Sequence, residues 1–197
     1  MYSLQLAIKR FFDILLCLII LIFGAPLFVV IAILIKLTSE GPVFFVQERV
    51  GLHQKTFRMI KFRTMTVGSS PSGLTWTQQE EQRITPLGRF LRDYGLDELP
   101  QVINILRGDM SIVGPRPPLP DRLGKYTEYQ RKAFEMRPGV ISLAAVEGRR
   151  SIPMEKRLDL HARYVEKWSL WLDIQILWRA LFVVLERQYA SEIVTDS

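Results

Sequence analysis

From residue 14 to residue 35 the chain carries no charged side chain, and only Gly24, Ala25 and Pro26 interrupt its large apolar residues. In a helix these ~22 residues reach roughly 30 Å, the hydrocarbon thickness of a bilayer. The run is too long for the apolar region of a signal peptide, and no small-x-small cleavage site follows it. Lys9 and Arg10 precede it, and Lys36 and a basic body follow. Basic residues at both ends favour keeping both on the cytoplasmic side. A helix that enters, breaks at Pro26 and returns satisfies this. Pro26 removes a helical hydrogen bond and crowds the carbonyl of Ile22, although kinked spanning helices tolerate such a residue. Residue physics leaves the re-entrant and spanning arrangements open. Asp13 fits a shallow position, where it can pair with Lys9 one turn earlier.

Beyond the run the periodicity changes. Residues 38–42 form a polar break ending in Gly41-Pro42. Residues 43–46 and 56–62 are β-prone and flank a turn with Gly51 and His53, which predicts a short hairpin. A Ser/Gly/Pro loop follows at 68–73. Short helices are predicted at 87–94 and 99–106, the second with Pro100 in its first turn. Four prolines make 114–120 extended. A polar helix is predicted at 122–136, a turn at Arg137-Pro138-Gly139 and an extended stretch at 140–146. Residues 152–187 read as one long helix mixing Trp168, Trp171 and Trp178 with Arg163, Lys167, Arg179 and Arg187. It suits either a membrane interface or an amphipathic helix on its own core. The fold class is therefore α+β and helix-dominated. An anchor spans 1–37, a compact catalytic domain 38–190 and a polar tail 191–197.

Charge narrows the partners. The 197 residues include 26 Lys and Arg and carry a net charge of +6, although 48% of residues are apolar. An anionic partner follows: lipid, phosphorylated substrate or nucleic acid. A nucleic-acid motif is missing, and the arginines alternate with acids. The single cysteine, Cys17, excludes a disulfide framework. His53 and His161 are isolated, and neither zinc-ligand spacing nor a phosphate-binding glycine loop occurs.

Three segments can carry chemistry. Asp97-Glu98 sits in Gly95-Leu96-Asp97-Glu98-Leu99-Pro100-Gln101. Asp97 can cap the helix that follows, or the two acids can divide the work of nucleophile and cation ligand. Arg92, Lys61 and Arg63 are either a solvated basic face or a cradle for a diphosphate, whose charge must be neutralised before a carboxylate approaches. Pro115 and Pro117 stiffen the backbone around Arg116, which suits a fixed phosphate contact. Asp173, in an apolar helix, lies at a polar edge or has a basic partner.

Taken in order, these segments resemble the monotopic phosphoglycosyl transferases, the bacterial sugar transferase family. The resemblance runs from Lys9-Arg10-Phe11-Phe12-Asp13 to about residue 177. Its most specific parts are Lys61-Phe62-Arg63-Thr64-Met65, Leu96 to Gln101, Gly108 to Pro117, and Arg137-Pro138-Gly139. It implies a re-entrant helix broken at Pro26, at the cytoplasmic face of a bacterial inner membrane and in contact with membrane lipids. It implies that Asp97 attacks the β-phosphorus of a UDP-sugar and releases UMP, and that polyprenol (undecaprenyl) phosphate then takes the phosphosugar. Glu98 is expected to ligate Mg²⁺. Lys61, Arg63, Arg92, Pro115, Arg116, Pro117, Arg149 and Asp173 are the expected substrate-binding or site-supporting residues. No nucleic acid takes part, and a homodimer is left open. Two departures stand out. Ala25 replaces the family's usual serine before the proline, and Ala145 and Glu147 replace a Gln and an Asn after the Pro-Gly turn, where sugar choice is at stake. The sugar and the glycan pathway are not specified.

Overall fold

A computed structural model describes residues 2–67, 82–148 and 152–185. The expected loop at 68–73, Arg149 and the tail from 191 lie outside the described residues.

Helix α1 runs from Tyr2–Thr38. Its apolar length makes it the one described helix that is long and apolar enough to cross a membrane. Both of its ends pack on the same body. Near its start, Lys9 donates to the carbonyl of Val113 and to Asp173, while Asp13 accepts from the Ser111 hydroxyl and the Ile112 amide. Near its end, Ile31 and Ile35 are buried against Phe62 and Leu91. Between them Cys17, Ile20, Leu21 and Phe28 pack on the same body, while Ile22 and Phe23, 69% and 79% exposed, lie on the opposite face. Helical structure continues through Pro26, the turns on either side keeping their bonds around the one that proline removes. One expectation is corrected here: Asp13 does not pair with Lys9, because Asp13 binds the strand at Ser111–Val113 and Lys9 reaches Asp173.

The hairpin is present. Strand β1, Phe44–Val50, pairs antiparallel with β2, Thr56–Phe62, so β1 is longer than the apolar 43–46 stretch suggests. His53 and Gln54 turn the chain with φ of 52° and 61°. Helix α2, Pro86–Asp93, begins with Thr85, whose hydroxyl accepts from the Gly88 amide, and with Pro86 in the first turn, where a missing N–H costs nothing. Gly88 faces the backbone of Thr64, and a Cβ there would lie 2.1 Å from the Thr64 carbonyl oxygen. The helix predicted at 99–106 is divided. Leu96–Gln101 is a tight 3-10 turn, and α3 follows at Val102–Arg107. Pro100 has no N–H to donate back four residues, so the entry tightens. Buried Asn104 fastens α3 to β2 by accepting from the Ile60 amide and donating to the Arg58 carbonyl.

Four further readings change. Strands β3, Ser111–Val113, and β4, Gly139–Ile141, form a parallel pair that hydrophobic alternation does not reveal, since three residues give no period. The helix expected at 122–136 is two 3-10 turns, Pro120–Lys125 and Gln130–Glu135, because Thr127 and Gln130 exchange side-chain and backbone bonds that restart the chain. The extended stretch after Pro138 ends at Ile141, where Ser142 caps the short helix α4, Leu143–Val146. The long C-terminal helix is two, α5 at Met154–Glu166 and α6 at Leu170–Leu185. Trp168 turns inward between them, and the Ser169 hydroxyl caps α6 by accepting from Leu172.

Helix α6 packs one face on the core, as the amphipathic reading expects, and leaves large apolar residues exposed on the other. Asp173, Ile176 and Ala180 are buried, whereas Trp171, Ile174, Trp178, Leu181 and Phe182 are exposed. The buried face belongs to a core containing Val113, Met136, Leu160 and Tyr164. A second core sets Cys17 of α1 against Met59, Ile105 and Met110.

Candidate active site

The turn at Leu96–Gln101 starts from Gly95, whose φ of 68° is costly for a residue with a Cβ. Leu96 and Leu99 point down onto Phe62, Ile31 and Ile35. That packing turns the intervening acids towards β2 and the proline-rich segment.

Asp97 is buried and accepts no hydrogen bond from any described residue. It is not the helix cap the sequence allowed, since Gly95 occupies that position without a side-chain bond. Burial raises its pKa, against the pull of Lys61, Arg92 and Arg116, with Glu98 adding to the rise. Glu98 is the opposite case. Its Oε1 accepts from Lys61 Nζ at 2.6 Å and from Arg116 Nη2 at 2.8 Å. Burial pushes its pKa up, but the two cations prevail and hold it well below the usual carboxylate range. Its Oε2 has no partner among the described residues. The adjacent acids are thus electrostatically distinct: one is neutralised by cations, and one carries an unengaged carboxyl.

The surrounding cations are held from behind. Arg92 Nε donates to the Thr64 hydroxyl at 2.8 Å. Arg116 sits between prolines whose carbonyls are tied down: Pro115 accepts from the Gly139 amide and Pro117 from Arg49. Its side chain is half exposed, which leaves the cluster open to solvent. Lys61 leaves β2 beside this loop.

Not every expected residue joins this group. Arg63 lies at the far end of β2, where its Nη2 donates to the carbonyl and hydroxyl of Ser39. Asp173 is committed elsewhere: its oxygens accept from Lys9, Tyr164 and Trp168. Two neighbours escaped the sequence reading. Arg49 is shifted down to about 10 by burial and then by Arg116 and Arg122. His161 is buried, its Nδ1 has no partner among the described residues, and burial, Arg116 and Arg157 lower its pKa to about 3. Its apparent isolation in sequence hid this position, because Arg116 is a neighbour only in the fold.

No group of three metal-ligating side chains occurs among the described residues. The donor set nevertheless suits a magnesium ion, which commonly takes one or two carboxylates and completes its shell with water and substrate phosphate. Glu98 Oε2 is the available oxygen.

An adjacent acid pair ringed by cations thus lies against a helix of membrane-spanning length. The profile of the bacterial sugar transferase family matches residues 4–187. The chain belongs to that family. It is 41% identical over 170 residues to EpsL of Bacillus subtilis, described as an uncharacterized sugar transferase, covering 86% of this chain and 83% of that one. It is 39% identical to the Escherichia coli UDP-glucose:undecaprenyl-phosphate glucose-1-phosphate transferase, covering 89% of this chain and 39% of that one. It is 36% identical to an Aeromonas hydrophila N-acetylgalactosaminephosphotransferase acting on undecaprenyl phosphate, covering 90% and 44% respectively. The chain therefore spans less than half of the two relatives whose names give a substrate. Those names carry different sugars at similar identity, so identity does not select the sugar.

Proposed function

We propose that this chain transfers a phosphosugar from a UDP-sugar to polyprenol phosphate through a covalent aspartate intermediate. The observation that carries the reading is the contrast within Asp97-Glu98: a carboxyl without a hydrogen bond beside one gripped by Lys61 and Arg116. A nucleophile must keep its lone pairs available, whereas a charge organiser must be fixed.

An oxygen of ionised Asp97 attacks the β-phosphorus of the UDP-sugar. The bond from that phosphorus to the bridging oxygen breaks, and UMP leaves with the electron pair. The phosphate oxygen of the acceptor then attacks the same phosphorus, forming the lipid-linked diphosphate and returning the Asp97 carboxylate. Lys61, Arg92 and Arg116 neutralise the substrate's diphosphate and allow one anion to approach another. Mg²⁺ supplies further neutralisation of the diphosphate oxygens, and Glu98 Oε2 is the ligand offered to it.

The same reading includes a re-entrant anchor on the cytoplasmic face. It is supported by the packing of α1 on one body from Lys9 and Asp13 near its start to Ile31 and Ile35 near its end. A helix that crossed the bilayer would carry one end away from that body. The exposed Trp171 and Trp178 of α6 suit the interfacial depth.

The direct test is UMP release from a panel of UDP-sugars by the purified protein with a polyprenol phosphate. Release is expected for one or a few sugars, abolished by chelator and by Asp97→Asn. Full activity in Asp97→Asn would remove the aspartate intermediate.

A further inference from the structure

The C-terminal half of α1 borders an open groove of about 320 Å³ lined by Val29, Ala32, Ile33, Lys36, Leu37 and Val43. Five of the six are apolar, and the sixth is an exposed lysine at the helix end. Charge gathers at that same end. Arg63 is 7% exposed and spends one nitrogen on Ser39, while its Nε and Nη1 are buried with no partner among the described residues. A buried guanidinium with unsatisfied donors is costly, and an anion relieves that cost.

The groove is also joined to the catalytic turn. The Val43 carbonyl accepts from the Arg63 amide, and Val43 packs in the cluster that includes Leu96 and Leu99, on either side of Asp97-Glu98. Arg63 follows Lys61 by two residues, about 6.6 Å along an extended chain, and Lys61 holds Glu98.

We propose that this groove receives the isoprenoid tail of the lipid-phosphate acceptor, with its phosphate drawn to Lys36 and Arg63. This rests on the transferase reading above and adds where the second substrate enters. An acceptor with a branched apolar tail and a monoester phosphate needs an apolar channel that ends in cations. The groove starts on the membrane-facing helix and ends where the Val43 carbonyl meets Arg63, one residue past the strand that carries Lys61. A bulk phospholipid acyl chain would match the apolar walls but would have no reason to lie next to the catalytic turn.

The test uses the full chain in zwitterionic phosphatidylcholine vesicles, with Ala32→Phe to fill the groove and Lys36→Gln to remove its exposed charge. KM is measured for a long polyprenyl phosphate, for a two-isoprene-unit phosphate and for the UDP-sugar, and thermal melts establish folding. Ala32→Phe is expected to raise KM about tenfold for the long acceptor and leave the short one near wild type. Lys36→Gln is expected to raise KM for both acceptors, and the UDP-sugar KM should stay within about twofold in either variant. Unchanged acceptor KM in both variants overturns the proposal, as does an equal rise in the UDP-sugar KM. An effect confined to vesicles of anionic phospholipid overturns it too, by assigning the groove to ordinary lipid. Should Ala32→Phe fail to fold, Lys36→Gln decides alone, since its side chain is exposed. UMP release measured with both substrates present separates the two levels: if the wild type releases none from any UDP-sugar, the transferase reading itself falls.

Discussion

Lys9 and Asp173 are 164 residues apart in sequence and meet at 2.6 Å, both nearly buried. The pair fixes the start of α1 to α6, and Tyr164 and Trp168 complete the bonds to the carboxylate. Removing one partner strands the other charge, which typically costs about 3–5 kcal/mol for buried pairs. Asp173→Ala is therefore expected to lower the melting temperature sharply, while the UDP-sugar KM of the protein that remains folded changes little. Lys9→Met combined with Asp173→Leu should be less damaging than either alone. A large KM rise without loss of stability would instead put Asp173 in contact with substrate.

That pair also marks what the sequence could and could not convey. The hairpin and the apolar helix were legible because each carries a local signal: β-prone segments around a turn with Gly51, and a long uncharged run interrupted only at residues 24–26. The grouping of Lys61, Arg92, Asp97, Glu98 and Arg116 was legible through the order of their motifs. The partner of Asp173 was not, because a basic residue at any distance would satisfy the same pattern. The division of the C-terminal helix escaped for a related reason. Trp168 and Ser169 fit a helix by propensity, and tertiary burial of the indole decided otherwise. Arg63 sits apart from Glu98 because β2 ends at Phe62, and past the strand its side chain turns to the carbonyl and hydroxyl of Ser39, a contact with no signal in the sequence.

Gly88 tests how closely α2 must approach β2. Its missing Cβ lets the helix touch the Thr64 backbone, and Thr64 in turn accepts from Arg92. Gly88→Ala places a carbon where backbone must yield. A loss of about 1–3 kcal/mol is expected from overpacking, with a fall in kcat as Arg92 shifts. Chemical denaturation and UMP-release kinetics measure the two effects. Wild-type values for both would show that α2 has room to move.

Glu98 takes two cations on one oxygen. Glu98→Gln leaves Lys61 and Arg116 without their anion, so a stability loss of about 1–3 kcal/mol is expected. Activity should drop by about 100-fold or more, the scale seen when a preorganised electrostatic group is lost. Adding Lys61→Met should restore part of the stability and none of the activity. Recovery of activity in the double variant would assign Glu98 a structural role alone.

The topology of α1 can be read chemically. With Cys17 replaced by alanine, single cysteines at Ser3 and Glu40 report the two helix ends to a membrane-impermeant thiol reagent in intact cells. Neither is expected to label until the membrane is opened, since Lys9, Asp13, Ile31 and Ile35 all pack on one body. Labelling at Ser3→Cys from outside would establish a spanning helix.

Asp97 carries a stability cost that pH should expose. Burial raises its pKa, so at intermediate pH the folded chain holds a proton that the unfolded chain has released. Folding stability from this group therefore declines as pH rises from the ordinary carboxylate range through the raised value, and the cost remains at neutral pH. Glu98 runs the other way: its depressed pKa contributes stability above the ordinary carboxylate range, lost as pH falls through its low value. Asp97→Asn removes the first slope and leaves the second. The variant is expected to be more stable than wild type at neutral pH, to lose that advantage as pH falls, and to release no UMP. In the wild type, the acid limb of single-turnover UMP release should lie above the range of an exposed aspartate, because only the ionised carboxyl attacks. Melting temperatures of both proteins across pH, set beside the wild-type rate profile, test the link. Parallel melting curves for the two proteins would mean that Asp97 ionises without cost, and its burial would then have no part in tuning the nucleophile.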